Sequence, residues 1–320
     1  MKNNQLYFTF CKPPSIKNIF SINSTPRRTR CPEMNNAAKS GQALWLRFVQ
    51  FPLFRVLVLG GGMLYLMAWT EGRILAFKDN PTIGVIIAFG MGLVVMAIYL
   101  AWGKFIERRD VTELSLPGSA REWMIGALIG AGLYTGCVLI LMVLGIYRIE
   151  GLAPLVHMLP AIALALKSGI FEELVFRGVL FRSVEEMAGS WIAIAVSSLV
   201  FGFIHLLNPD ATITGAAYIS IEAGLLLAAA YLVTRRLWIA IGFHMMWNYV
   251  QSGVYSGIVS GAVTEPGLIR PKIEGPAFLT GGTFGMEQSV FALILCTTAG
   301  VVLLKIAIRR GHIRPPPWNR

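Results

Sequence analysis

The sequence is dominated by long, nearly uninterrupted runs of apolar residues, and this feature leaves the chain very few folds. Hydrophobic residues make up 55% of the chain and charged residues only 14%, whereas about a quarter of an ordinary soluble domain is charged. A helix needs about 20 apolar residues to cross the hydrocarbon core of a bilayer. The sequence therefore predicts an all-α fold, a polytopic transmembrane helical bundle of about eight spans. The candidate spans are Leu53–Trp69, Ile83–Trp102, Trp123–Tyr147, Leu155–Leu180, Trp191–Leu207, Thr214–Val233, Leu237–Ile258 and Ser289–Ile308.

The basic residues lie mainly between these apolar runs. The net charge of +11 could indicate nucleic-acid binding, but no basic stripe is interleaved with aromatic residues. We therefore expect the lipid bilayer, and no nucleic acid, as a partner. Eight spans threaded from a cytoplasmic N-terminus place most lysines and arginines inside, Arg235 and Arg236 among them, which is the usual bias of membrane proteins. We expect an integral, multi-pass protein with both termini cytoplasmic and, in a bacterial host, a location in the inner membrane.

The segments outside the apolar runs suggest a division into four parts. Residues 1–52 form a polar, basic tail that we expect to be disordered, unless the start codon is placed too early and Met34 is the true start. Residues 53–102 hold two additional transmembrane helices, residues 103–312 form the main membrane domain, and residues 313–320 are a short C-terminal tail. The four cysteines form no CxxC pair, so neither a disulfide framework nor a structural zinc site is indicated.

Two adjacent glutamates lie within the fourth apolar run, where a charged side chain needs a partner, a water-filled cavity or a function. A helix places Glu173 and Arg177 at positions i and i+4 on one face, whereas Glu172 points about 100° away. A structural ion pair at a helix end explains Glu173 and Arg177 but leaves Glu172 unpaired. An unpaired carboxylate in apolar surroundings is suited to act as a general base or acid.

Two further apolar runs each carry a histidine with a helical partner four residues away. Phe201 and His205 share one helix face, and His244 and Asn248 share another. A lone histidine is more often a packing residue, and a His–Asn pair can simply hydrogen-bond a neighbouring helix. These groups and the two glutamates are nearly all the strongly polar groups that we find in the spans. Their occurrence on three segments favours a single convergent site.

The depth of these residues in the membrane predicts the length of the fourth helix. At about 1.5 Å per residue, His205 lies about 22 Å and His244 about 10 Å from the inner ends of their spans. The glutamates must lie between these two levels to meet both histidines. We therefore expect the fourth helix to continue past EELVFR to roughly Glu185.

In chain order, the three motifs resemble the signature of the CAAX-processing and bacteriocin-processing (CPBP) family of intramembrane endopeptidases. This family includes the type II CAAX prenyl endopeptidases and Abi-like bacterial proteins. The motifs are EExxxR at Glu172–Arg177, FxxxH at Phe201–His205 and HxxxN at His244–Asn248. ERRDVTEL before the third span and LTGGTFGMEQS before the last are also similar to family sequence. The resemblance covers roughly residues 100–312 and identifies residues 103–312 as the protease domain.

The resemblance implies an endopeptidase that hydrolyses membrane-embedded or membrane-anchored peptides or proteins. It assigns activation of the attacking water to Glu172 and His205. It assigns oxyanion stabilisation or substrate binding to His244 and Asn248. The supporting residues would be Glu173, Arg177 and Phe201.

Metal dependence stays open at this point, because family members are described both as metalloproteases and as metal-independent glutamate proteases. Glu172, His205 and His244 are candidate ligands for Zn²⁺, which binds both carboxylate and imidazole. The HExxH spacing of many zinc proteases is absent.

Two other functions remain compatible with the sequence. A non-catalytic immunity or scaffold protein on the same fold would share every motif. A transporter could use the Glu and His side chains to relay protons, but it would more readily show Gly- or Pro-broken spans in paired halves, which we do not find.

Overall fold

The chain forms a bundle of long helices, and two short strands pair beside it. The structure is a computed structural model that describes residues 44–262 and 264–319. The predicted disorder or late start of the N-terminal tail concerns mainly residues 1–43, which lie outside the described residues. The elements are α1 (Leu44–Val49), α2 (Pro52–Ala76), α3 (Pro81–Ile106), α4 (Ser119–Val143), β1 (Tyr147–Leu152), α5 (Leu155–Leu207), α6 (Ile213–Thr234), α7 (Trp238–Asn248), β2 (Ile269–Ile273), α8 (Ala277–Thr280) and α9 (Val290–Arg309).

The helical bundle is confirmed, but the number of spans is not. Among the described residues, six helices are long and apolar enough to cross a membrane, namely α2 to α6 and α9. Helix α5 alone covers two of the predicted spans. The seventh predicted span corresponds to α7, which is shorter and continues as a π-helical stretch, Tyr249–Val254. The count of about eight therefore stays a prediction, whereas the chain is an integral membrane protein by its apolar helices.

Helix α5 confirms the prediction that the helix with the two glutamates is unusually long. It runs without interruption past Glu185 and then kinks at Gly189, whose φ of 82° and ψ of 170° are non-helical. A Cβ atom at this position would lie 2.8 Å from Pro316 N, so the positive φ and the packed C-terminal segment both require glycine. The Ser190 amide also donates to Arg314 O over 3.0 Å. The kink separates a first arm with the glutamates from a second arm with Phe201 and His205.

The two strands were not predicted from the sequence. β1 and β2 pair antiparallel, with Tyr147 opposite Ile273 and Leu152 opposite Ile269. β2 lies in residues 259–288, a Gly- and Pro-rich segment whose composition indicates a loop. Because the ribbon is so short, the fold remains a helical bundle.

Polar side chains join α2 and α3 to the first arm of α5. The Tyr99 hydroxyl donates to Glu113 Oε1 over 2.5 Å, and Arg182 Nη1 lies 3.2 Å from the same oxygen. Arg55 donates to both carboxylate oxygens of Glu186, over 3.0 and 2.7 Å. Burial opposes the ionisation of Glu113, but the hydrogen bond from Arg109 and the charge of Arg182 outweigh it and lower the pKa of Glu113. The ERRDVTEL segment thus anchors the helix that carries the glutamates.

Glycines let α4 and α7 approach each other at backbone distance. In GALIG, a Cβ atom at Gly126 would lie 2.0 Å from Ile239 O, and one at Gly130 would lie 2.4 Å from Phe243 O. Small residues spaced in this way allow close packing between membrane helices. The contact fixes α7, and with it His244.

We expect Gly126→Ala to lower the free energy of unfolding by about 1–3 kcal/mol, because the added methyl group overlaps a backbone carbonyl that cannot rotate away. Gly132→Ala is the matched control, since a Cβ atom at Gly132 on the same helix meets nothing within 4 Å. Thermal unfolding of both detergent-purified variants measures the difference. Equal midpoints for the two variants would contradict the close contact between α4 and α7.

Candidate active site

The three motifs meet at one cavity of about 440 Å³ inside the bundle. Its wall contains Glu172 from the first arm of α5, His205 from the second arm, and His244 and Asn248 from α7. The structure therefore brings together four side chains that are up to 76 positions apart in the sequence. Glu173 and Arg177 are not part of the wall and lie behind it.

Local helix geometry separates the two adjacent glutamates. The first arm changes from α-helix to π-helix at Leu174, directly after the pair, and the π-helical stretch continues to Phe181. Such stretches in membrane and soluble helices occur frequently at functional sites. Glu172 and Glu173 point to different sides of the helix, so one reaches the cavity and the other the interior of the bundle.

Glu173 is the centre of a fully buried charge cluster. The Arg177 side chain donates from Nη1 to Glu173 Oε1 over 2.9 Å, in the i,i+4 pair that the spacing predicts. His244 Nδ1 lies 2.8 Å from the same oxygen. Because a carboxylate oxygen accepts, Nδ1 of His244 carries the proton in this contact. Glu173 therefore orients the His244 ring, a second role that the sequence does not reveal.

Glu172 faces the cavity and makes no hydrogen bond to the part of the chain that the structure describes. Its Oε2 atom is shielded from solvent and makes no hydrogen bond within the described part of the chain. The closest ionisable neighbour is His244, whose Nε2 lies 3.8 Å from Glu172 Oε2. The contact of Glu172 with His244 is longer than the 2.9 Å contact that holds Glu173 to Arg177, which leaves the Glu172 carboxylate available to a water molecule.

The His205 ring is held in one tautomer by its own helix. His205 Nδ1 lies 2.7 Å from the carbonyl oxygen of Phe201, and since a carbonyl only accepts, Nδ1 carries the proton. In the neutral ring Nε2 is then free to accept a proton.

Phe201 also lies between charged and aromatic partners, with Arg177 Cζ 4.4 Å from its ring centroid and the His244 centroid at 5.9 Å. Phe201 thus packs the wall against which both histidines rest.

Asn248 forms a hydrogen bond between α7 and α5. This bond is the simplest explanation for an asparagine at this position. Its Nδ2 atom donates to Ser168 Oγ over 2.8 Å, and the Ser168 hydroxyl donates to Leu164 O. One hydrogen of the amide group remains for another acceptor. Asn248 lines the cavity, so this second hydrogen could serve a substrate oxygen.

The cavity also contains charged residues that sequence reasoning passed over. Lys167 and Glu71 form an ion pair between α5 and α2, and both line the cavity. Glu222 on α6 and Glu287 before α9 complete the charged part of the wall. Lys167 and Glu222 each lie inside an apolar run, and a systematic search of the spans for isolated charges would have found both.

Glu287 is held in place by several donors. Gln251 Nε2 donates to it over 3.0 Å, and the backbone amide of Ser260 donates over 2.7 Å. Burial raises the pKa of Glu287, although these hydrogen bonds oppose the shift. LTGGTFGMEQS, which contains Glu287, therefore contributes directly to the wall of the cavity.

The donor geometry does not indicate a metal centre. In residues 44–262 and 264–319, no group of three or more His, Cys, Asp and Glu side chains is arranged to hold a metal ion. His244 donates its Nδ1 proton to Glu173 in a hydrogen bond, and its Nε2 lies 3.8 Å from Glu172 Oε2. Metal dependence therefore stays untested.

Comparison with known proteins supports the family resemblance over the central part of the chain. Residues 154–250 match the family model described as type II CAAX prenyl endopeptidase Rce1-like. No curated protein and no solved structure matches the chain. All three motifs lie within the matched residues. The family resemblance is thus confirmed for residues 154–250, which carry the sequence pattern of the Rce1-like type II CAAX prenyl endopeptidases, a protease family.

Proposed function

We propose that this protein is an intramembrane endopeptidase that hydrolyses peptide bonds of membrane-embedded or membrane-anchored substrates. The observation that carries the proposal is the common cavity of Glu172, His205, His244 and Asn248, in which Glu172 Oε2 has no hydrogen-bond partner among the described residues. Peptide hydrolysis needs a base for water and donors for the oxyanion. These four side chains supply both functions.

Glu172 and His205 activate the water in this proposal. The water oxygen attacks the carbonyl carbon while its proton passes to Glu172, and the carbonyl electron pair moves onto oxygen. His205 accepts a hydrogen bond at Nε2, which its Nδ1 contact with Phe201 O leaves free. When the tetrahedral species collapses, the C–N bond breaks and the proton moves from Glu172 to the leaving nitrogen.

His244 and Asn248 stabilise the negative oxygen of the tetrahedral species. With Nδ1–H directed at Glu173, His244 donates from Nε2 in its imidazolium form, which the Glu173 carboxylate stabilises as in other acid–His pairs. Two carboxylates, one guanidinium and one imidazolium then leave the cluster of Glu172, Glu173, Arg177 and His244 without net charge. The low dielectric of the bundle strengthens each of these contacts.

Direct detection of cleavage tests the function. The purified protein is reconstituted in liposomes with a mixture of single-span peptides, and new termini are identified by mass spectrometry, with and without a chelator. We expect cleavage at defined bonds. Absence of any cleavage, while the protein remains folded, would favour the immunity or scaffold function on the same fold.

Asn248 provides a prediction that separates catalysis from helix packing. We expect Asn248→Ala to lower kcat at least about tenfold with little change in KM, since loss of one oxyanion donor costs about 10²–10³ in turnover elsewhere. Ser168→Ala is the matched control, because it removes the same interhelical bond and keeps the amide. Equal kcat values for the two variants would assign Asn248 to packing alone.

A further inference from the structure

Glu222 is a buried carboxylate in the cavity wall for which the proposed mechanism has no use. It lies in the π-helical stretch Ser220–Gly224 of α6, the helix with the largest buried share among the six candidate spans. Its side chain is 1% exposed. Neither carboxylate oxygen has a hydrogen-bond partner within the described part of the chain.

The other charged groups of the cavity each face a group of opposite charge or a hydrogen-bond donor. Lys167 and Glu71 neutralise each other, and Glu172 faces the His244 ring. Glu287 accepts from Gln251 and Ser260. The carboxylates of the wall outnumber its single ammonium group; they are Glu71, Glu172, Glu222 and Glu287. Acids therefore outnumber bases in the wall, and within the described residues Glu222 lacks a hydrogen-bond partner at both carboxylate oxygens.

A buried polar group almost always has a partner, and an exception needs an explanation. In the wall of a cavity, a ligand can supply the missing partner. The charged neighbour of Glu222 is Glu287, which is itself an acid, so a second negative group would be repelled. A cation is attracted by both carboxylates, and the low dielectric around them strengthens this attraction. An ammonium or guanidinium group is thus the partner that the surroundings of Glu222 favour.

We propose that Glu222 is a specificity-determining residue that binds a lysine or arginine side chain of the peptide substrate. The inference rests on the proposed function, because it takes the cavity to be the substrate site. It adds a substrate class to that function, namely peptides with a basic residue near the bond that is cut. A charge-assisted hydrogen bond of this kind changes affinity by at least about tenfold.

Binding measurements test the inference independently of cleavage. Fluorescent single-span peptides that differ at one scanned position, with Lys, Arg, norleucine or Glu, are titrated against detergent-purified protein. We expect the Lys and Arg peptides to bind at least about tenfold more tightly than the norleucine peptide at one position of the scan. Equal affinity of all four peptides at every position would overturn the inference and leave ordered water as the partner of Glu222.

A substitution connects the preference to Glu222. Glu222→Gln keeps the shape and removes the charge, so it should abolish the preference for the Lys and Arg peptides over the norleucine peptide. Glu274→Gln is the control, because Glu274 is an exposed acid that pairs with Lys272 on the surface. A preference that survives in Glu222→Gln would also overturn the inference. If basic peptides bind most tightly but no peptide is cleaved, the proposed hydrolysis fails while the specificity stands.

Discussion

Glu172→Gln is expected to lower the turnover of membrane peptides by about 10²–10⁴-fold, the usual contribution of a positioned general base. Glutamine has nearly the same shape as glutamate but cannot take a proton from water. The Glu173–Arg177 pair stays intact, and the contact that Glu172 makes with His244 Nε2 is longer, at 3.8 Å. We therefore expect the variant to insert normally and to unfold at the wild-type temperature.

The measurement compares kcat and thermal stability on the same detergent-purified sample. Glu150→Gln is a suitable control, because Glu150 is an exposed acid on β1 and lies outside the cavity wall. Full activity of purified Glu172→Gln would remove Glu172 from the catalytic role. Loss of activity together with loss of stability would mean instead that the carboxylate supports the fold.

Helical periodicity explains why part of the site could be predicted from the sequence. A separation of four residues fixes which side chains share a helix face, so the Glu173–Arg177 pair followed from spacing alone. The depth argument also predicted correctly that the helix continues past EELVFR to about Glu185. Both inferences concern residues on a single helix. The fixed rise and rotation per residue of a helix give the relative positions of such residues from the sequence alone.

Contacts between helices could not be predicted in the same way. The Glu173–His244 bond joins residues 71 positions apart, and no periodicity within either helix indicates it. The Gly189 kink needs the C-terminal segment around Pro316, and the sequence alone does not place that segment. Glu222 was missed for a different reason: no partner lies at helical spacing, so the motif search had nothing to detect.

Among the single substitutions, Glu173→Gln should lower the free energy of unfolding most. Glu173 and Arg177 are both fully buried, and removing the acid leaves a guanidinium without its counter-charge. Breaking a buried ion pair in this way typically costs about 3–5 kcal/mol. We expect a lower folded yield and a lower unfolding temperature, together with reduced kcat because the His244 ring loses its carboxylate.

A double variant separates these two consequences. Glu173→Gln/Arg177→Met also removes the guanidinium that Glu173→Gln alone leaves unpaired. Replacing a whole buried ion pair by apolar groups is often close to neutral for stability. The recovery should be partial, because Arg177 also donates to Ala223 O and Gly224 O over 3.3 and 3.4 Å and packs on Phe201.

The activity of the double variant decides the role of Glu173. If Glu173 orients His244 and stabilises its imidazolium form, kcat stays low although folding recovers, because no carboxylate faces Nδ1. If Glu173 only neutralises Arg177, kcat recovers together with stability. We expect the first result, because the 2.8 Å contact with His244 Nδ1 is at least as short as the 2.9 Å contact with Arg177. The same carboxylate oxygen makes both contacts, so the ion pair that supports the fold also holds the histidine that faces the substrate.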